Sequence, residues 1–253
     1  MCLILVAHRP DEPIPLMVLA NRDEFYDRPS EAADYWPESP EMIAGRDLVS
    51  GGAWFGVKNQ RWATVTNIRE GDSDNNPHLR SRGWLARDYL QGNLSPADFL
   101  SSIQTTEAEY AGFNLLLGDG SEIWYAANRI ASRKRLKPGI YGLSNHLLDT
   151  PWPKVVRGKE AFEKLLKRPA IDYDAAFALL ADTSRAPDSE LPDTAIPLDW
   201  ERALSAIFIT MPSYGTRCST LLMTGADGQK SFLERRYNRD PQKWQQSEFT
   251  WKV

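Results

Sequence analysis

Apolar residues fall in strand-length runs near both ends of the chain and in its middle, with helix-spaced stretches between them. Residues 3–7 and 16–20 are continuous apolar runs separated by a proline-rich stretch, and such a pair reads as an antiparallel hairpin. If Ala7 faces Leu16 across the turn, Cys2 comes opposite Asn21, with Arg22 and Asp23 just beyond. Paired residues lie roughly 4.5–5.5 Å apart, so their side chains can meet. Residues 25–52 hold Pro29, Pro37 and Pro40 without a sustained period and read as a loop. Residues 53–57 and 62–67 form a second strand pair, entered through the permissive Gly51-Gly52. Residues 71–82 are polar and read as a surface loop. Trp84, Leu85, Asp88 and Tyr89 fit a helix ending near Gly92, and Ser95-Pro96 is a cap and first turn for a helix reaching about Ile103.

Residues 113–117 and 122–127 flank a Gly-Asp-Gly-Ser turn as a third hairpin, and residues 140–143 are a short apolar run leading into Ser144-Asn145. Pro153 opens a helix to Leu166 with Val155, Phe162 and Leu166 on one stripe and Lys154, Lys159 and Lys164 largely off it. Residues 173–181 make another helix and 187–197 a connection. Residues 206–211, 218–224 and 231–235 read as strands, and the alternating tail 247–253 as an edge strand. Hairpin connections and grouped helices argue against a parallel doubly wound sheet. They predict a single α+β domain over residues 1–253, with two mostly antiparallel sheets packed together and helices outside.

Composition adds few constraints. Hydrophobic residues make 42% of the 253, charged residues 25%, and the net charge is -4. A mildly acidic chain is poorly suited to nucleic acid. No apolar run is long enough to span a membrane, and no secretory signal is apparent at the start, which predicts a cytoplasmic protein. Two cysteines do not make a disulfide framework. His8, His78 and His146 lack ligand spacing, so no metal site is expected, and no Walker or dinucleotide fingerprint occurs. Arg133-Lys134-Arg135 reads as a solvated hairpin tip.

Position 2 carries chemistry of its own. Removal of the initiator Met before a small residue would leave Cys2 with both a thiol and a free amine. Their reference pKa values, about 8.5 and about 7.7–8.0, let the amine accept the thiol proton near neutrality. Arg22 beside it would favour the thiolate or hold a carbonyl or carboxylate, and Asp23 could orient the ammonium. The residues alone equally allow Cys2 to be a small buried thiol and Arg22-Asp23-Glu24 a solvated strand end.

Met1-Cys2, Ala20 to Tyr26 (ANRDEFY) and Arg28-Pro29 together resemble the NRDE family, that of Transport and Golgi organisation 2. Further matching segments are Gly-Gly-Ala-Trp-Phe-Gly from Gly51, Thr66-Asn67, Gly-Phe-Asn-Leu from Gly112, Tyr-Gly-Leu-Ser-Asn from Tyr141, Thr150-Pro151-Trp152 and Gly215-Thr216-Arg217. The chain departs from the pattern at Ala53 and Cys218, where Thr is expected. The resemblance implies a fold similar to the N-terminal nucleophile hydrolases, a four-layer αββα sandwich. It also implies that Cys2 is the nucleophile, Arg22 and Asp23 its partners, and Asn67 or Asn145 the oxyanion donor. Asn21, Glu24, Trp54 and Arg217 are the implied substrate-binding positions. The implied activity is hydrolysis of an amide or acyl compound with no required cofactor. The implied alternative is binding and trafficking of haem or an acyl-CoA or lipid ligand at the same site.

Overall fold

The computed structural model describes residues 2–70, 78–130, 132–168 and 171–252, so most of the polar loop expected at 71–82 and the last residue of the tail lie outside the described residues. The chain divides into two compact units. One comprises residues up to Asp27 and from Pro138 onward, the other Arg28–Lys137.

The first unit opens with β1 (Cys2–His8) and β2 (Leu16–Phe25), the hairpin expected from the apolar runs. Its register differs by one residue from the expected one: Ala7 pairs with Met17, and Cys2 pairs with Arg22 instead of Asn21. The cause lies at the turn. His8 pairs with Leu16, and Arg9 N donates to Pro15 O at 2.8 Å, so pairing continues into the proline-rich stretch. A slip of one residue exchanges the two faces of a strand. Cys2 and Arg22 therefore share one face, while Asn21 and Asp23 go to the other.

The second unit is a single seven-stranded sheet in chain order. It begins with β3 (Ser30–Trp36) and β4 (Ser39–Asp47), where a loop was expected. Two register irregularities interrupt this pair and break the alternation that would announce a strand. β5 (Phe55–Lys58) and β6 (Arg61–Asn67) follow, entered through Gly51 at φ +68. Next come α1 (Gly83–Gln91) and α2 (Pro96–Ser102), whose Ser95 cap accepts from Asp98 N at 3.1 Å. β7 (Phe113–Gly118), β8 (Ile123–Ala127) and β9 (Ser132–Arg135) complete the sheet. The basic triplet at 133–135 is thus an edge strand and not a hairpin tip. The core packs Leu85, Ala86, Tyr89 and Leu90 of α1 with Phe99 and Leu100 of α2 and with Met42, Ala63, Val65, Leu115 and Leu117.

The chain then returns to the first unit with β10 (Gly139–Leu143), which pairs with β1. α3 (Pro153–Leu166) and α4 (Tyr173–Leu180) follow. Leu3, Leu5, Ala7, Met17 and Leu19, alternate residues of β1 and β2, pack with Val155, Phe162, Leu165, Phe177 and Leu180 of these helices. Burying each such side chain contributes about 1.5–3 kcal/mol. α5 (Leu198–Leu204), which weak periodicity hides, precedes the apolar run at 206–211. That run is not a strand: Ile207, Phe208 and Ile209 are buried in irregular backbone. Buried backbone outside a ladder needs other partners. Here Ile207 O accepts from Asn21 Nδ2 at 2.9 Å, Phe208 N donates to Asp182 O at 2.7 Å, and Ile209 N donates to Thr216 Oγ1 at 2.9 Å. β11 (Tyr214–Thr224), β12 (Gln229–Tyr237) and β13 (Trp244–Lys252) complete a six-stranded antiparallel sheet in the order β10-β1-β2-β11-β12-β13. The tail is the edge strand its alternation predicts.

Candidate functional site

The centre of the six-stranded sheet brings Cys2, Arg22 and Cys218 into one row, because Arg22 is the cross-strand partner of Cys2 on β1 and of Cys218 on β11. Cys2 is half-buried and Arg22 is 7% exposed. Arg22 Nη2 stands 3.9 Å from Glu24 Oε2, two residues along on the same face of β2. The β2–β11 ladder shifts register between Thr216 and Cys218, which makes Arg217 the extra residue of a bulge. Bulges re-aim side chains. Arg217 comes close enough to Arg22 that burial first, and then this like charge, lower its pKa, and it is tied down by a 2.7 Å bond from Nη1 to Phe25 O.

Asn145 reaches the same place by extension of β10. Past Leu143, the partner of Ile4, the chain continues alongside the start of β1. Ser144 Oγ donates to Cys2 O at 2.9 Å, and Cys2 N donates to Asn145 Oδ1 at 3.0 Å. Both residues are buried. Offering its oxygen to Cys2 fixes the orientation of the Asn145 amide and turns its Nδ2 donor away from that nitrogen.

On the opposite face Asp23 is held from three elements. Thr216 Oγ1 on β11 donates to Oδ1 at 2.6 Å, the Tyr214 hydroxyl donates to the backbone oxygen at 2.9 Å, and Lys154 Nζ on α3 lies 3.8 Å from Oδ2. Asp23 and Lys154 are 2% and 1% exposed. Burial raises the Asp23 pKa, and Lys154 is the strongest influence opposing that rise, ahead of the amino-terminal charge and the Thr216 hydrogen bond. Tyr214 is pushed well above the usual phenol value by burial and then by the neighbouring charges of Asp23 and Cys2. Lys154, Tyr214, Thr216 and Ser144 were not singled out from sequence. Lys154 was placed off the apolar stripe, yet it is buried, and Lys154, Gly158, Phe162 and Leu165 in fact follow the i, i+4, i+8, i+11 spacing of one helix face. That spacing is the signal that could have found it.

Asn21 has a different role from the ligand contact expected of it. Its Nδ2 donates to Leu180 O at 2.8 Å and to Ile207 O at 2.9 Å, and its Oδ1 accepts from Ser219 Oγ at 2.5 Å. Both amide protons are spent on the scaffold. Asn67 and Trp54 belong to the second unit. Asn67 ends β6 opposite Phe113, and the Trp54 indole lies over Gly45, where a Cβ would come within 2.0 Å of the ring. His146 Nδ1 lies 2.9 Å from Thr150 Oγ1, with the ring beside Trp152. Among the described residues no group of three or more His, Cys, Asp or Glu is arranged to hold a metal ion, and no helix is long and apolar enough to cross a membrane.

Comparison with known proteins gives the family and the fold. The family model described as Transport and Golgi organisation 2 matches residues 1–239. The chain is 34% identical over 270 residues to a Transport and Golgi organization protein 2 homolog of Bos taurus, covering 97% of this chain and 96% of that protein. It is 34% identical over 258 residues to the Homo sapiens homolog, covering 93% and 92%. Among solved structures, the C2A mutant of the conjugated bile acid hydrolase from Clostridium perfringens superposes with a TM-score of 0.55 at 8% identity, covering 100% of this chain and 97% of that one. The fold class is therefore that of the N-terminal nucleophile hydrolases, α+β with two antiparallel sheets and helix layers.

Proposed function

For this chain, which belongs to the Transport and Golgi organisation 2 family, we propose an N-terminal-nucleophile hydrolase activity on an amide or thioester, with Cys2 as nucleophile. The observation that carries the proposal is the bond from Cys2 N to Asn145 Oδ1 with Arg22 directly across the strand pair. Removal of Met1 converts that nitrogen from an amide into the α-amine without changing its neighbours on β10 and β2. The bile acid hydrolase of the same fold supports the reading, since it was solved with the cysteine at its second position replaced by alanine.

In the proposed reaction the neutral α-amine takes the thiol proton and Cys2 Sγ attacks the substrate carbonyl carbon. The resulting oxyanion receives a hydrogen bond from an asparagine amide, for which Asn145 Nδ2 is the donor this unit supplies. One such donor is worth roughly 3–4 kcal/mol. The ammonium then gives its proton to the departing amine or thiol, leaving a thioester on Cys2. Water, deprotonated by the same amine, attacks that thioester and releases the carboxylic acid and the free thiol. Arg22 stabilises the thiolate, Asp23 serves the ammonium, and Arg217, with Glu24 at its side of the sheet, faces the polar end of the substrate.

Intact mass comes first, because an α-amine at Cys2 requires Met1 to be absent. A panel of amide and thioester substrates is then assayed with wild type and Cys2→Ala. Turnover lost in Cys2→Ala supports the hydrolase. Turnover that survives the change, or a retained Met1, refutes it. Tight haem or acyl-CoA binding without turnover would instead identify a binding protein that uses the same residues.

A further inference from the structure

α3 carries a buried cation that the proposed chemistry has not used. Lys154 is 1% exposed, and the acid it meets is Asp23, with Nζ and Oδ2 3.8 Å apart and both side chains screened from solvent. Burying such a pair is costly unless it is held in register by other hydrogen bonds. Thr216 Oγ1, 2.6 Å from the other carboxylate oxygen, supplies one, and Tyr214, bonded to the Asp23 backbone oxygen, closes the same corner. The helix also brings its small residue to this strand pair: a Cβ on Gly158 would meet Leu5 and Leu3 at 3.3–3.4 Å, which places one turn of α3 against β1 directly. Lys154 is thus fixed by the docking of α3 and not by a flexible reach.

We propose that Lys154 is a positioning residue for the nucleophile: its ammonium keeps the buried Asp23 carboxylate ionised and oriented, so that Asp23 can hold the α-ammonium of Cys2 while Arg22 on the opposite face holds the thiol. This rests on the N-terminal-nucleophile reading. The pair divides the two functions of Cys2 between the two faces of the sheet. The charged and titratable groups that act on or feel Asp23 include Lys154 from α3, Tyr214 from β11, Tyr26, Arg22 and Glu24 beside it on β2, and the amino-terminal charge. Of these Lys154 opposes most strongly the effect of burial on Asp23.

The test uses the full chain and three readouts: the pH titration of the Asp23 carboxyl by carbon-13 NMR, assigned with Asp23→Asn; the rate of Cys2 alkylation by iodoacetamide against pH, with the modified site identified by mass; and kcat and KM on an amide substrate. In Lys154→Met the Asp23 carboxyl should titrate at higher pH than in wild type, the alkylation profile should move with it, and kcat should fall about tenfold or more with little change in KM. Lys154→Arg should restore all three. A Lys154→Met protein with wild-type Asp23 titration and alkylation overturns the proposal. Should that variant fail to fold, Lys154→Gln, which keeps a hydrogen-bond donor for the Asp23 carboxylate but no charge, takes its place. An altered alkylation profile there supports the proposal and an unaltered one overturns it. If the wild type hydrolyses no substrate, the hydrolase reading falls, while the NMR and alkylation readouts still decide the role of Lys154.

Discussion

Asn21→Ala separates scaffold from site. The side chain is 1% exposed and makes hydrogen bonds of 2.8 Å to Leu180 O, 2.9 Å to Ile207 O and 2.5 Å from Ser219 Oγ. Truncation leaves the carbonyl at the end of α4 and another in the irregular segment at 206–211 without this donor, in places water does not reach. An unsatisfied buried polar group costs about 1–3 kcal/mol, so the two carbonyls together cost about 2–6 kcal/mol. The Ser219 hydroxyl can rotate and adds less. With a urea m value of roughly 3 kcal/mol/M, the midpoint should fall by roughly 0.7–2 M. Urea unfolding followed by tryptophan fluorescence reads this directly, since the chain has nine Trp. Ser219→Ala, which removes one of the three bonds, should cost about 1 kcal/mol and serves as the graded control. A midpoint within about 0.3 M of wild type for Asn21→Ala, combined with lost ligand affinity, would refute the scaffold assignment and return Asn21 to the binding site.

Other perturbations follow from the same packing. Cys218 is 3% exposed, and burial followed by the nearby Glu234 raise its thiol pKa well above the usual value. Native protein should therefore show one thiol reactive toward Ellman's reagent, at Cys2, and two after denaturation. Because the folded pKa is raised, the stability Cys218 contributes is fully present below the unfolded thiol pKa of about 8.5 and is lost as pH rises through the folded value. A urea series across alkaline pH should show a shallower decline for Cys218→Ala than for wild type. In Gly215→Ala the new Cβ would lie 2.2 Å from Tyr26 Oη and 2.5 Å from Ile209 O, and the carbonyl cannot step aside. A loss of about 1–3 kcal/mol is expected by the same unfolding assay.

Much of the architecture was legible in local pattern. Pro153 to Leu166 reads as a helix because a first-turn proline and helix-spaced apolar residues agree, and the structure has the same bounds. The strands of the first hairpin were clear for a similar reason, but their register was not, since a proline-containing loop does not dictate pairing. Residues 30–47 escaped because register shifts between Glu31 and Asp34 and between Tyr35 and Trp36 erase the period of two. Residues 206–211 misled in the other direction. An apolar run states that a segment is buried, not that it is paired, and its backbone partners are two side chains, Asn21 and Thr216, and the carbonyl of Asp182, none of which belongs to a neighbouring strand's ladder with it. Lys154 escaped because a lysine is read as solvated unless its helix face is followed turn by turn.

The one-residue correction in register changes what the Asn-Arg-Asp-Glu segment is. Read as a cluster, Asn21 to Glu24 looks like four polar groups gathered beside Cys2. In a strand they alternate, and the pairing of Cys2 with Arg22 decides which two join it. Arg22 and Glu24, 3.9 Å apart, lie on the thiol's face. Asn21 and Asp23 face the helices, where one bonds the end of α4 and the other meets Lys154 of α3. The segment therefore couples Cys2 to the helix layer through a single strand: whatever shifts α3 or α4 acts on Asn21 and Asp23, and through them on the backbone that sets Arg22 opposite Cys2. With the register that the apolar runs alone suggest, the sides would be exchanged, with Arg22 and Glu24 facing the helices and Asn21 and Asp23 on the thiol's face. There the guanidinium would face the buried Lys154 ammonium, a like charge, and Asp23 would be withdrawn from Lys154, leaving that ammonium without its carboxylate. The apolar pattern thus does not choose between the two registers, while the charges of Arg22, Asp23 and Lys154 do.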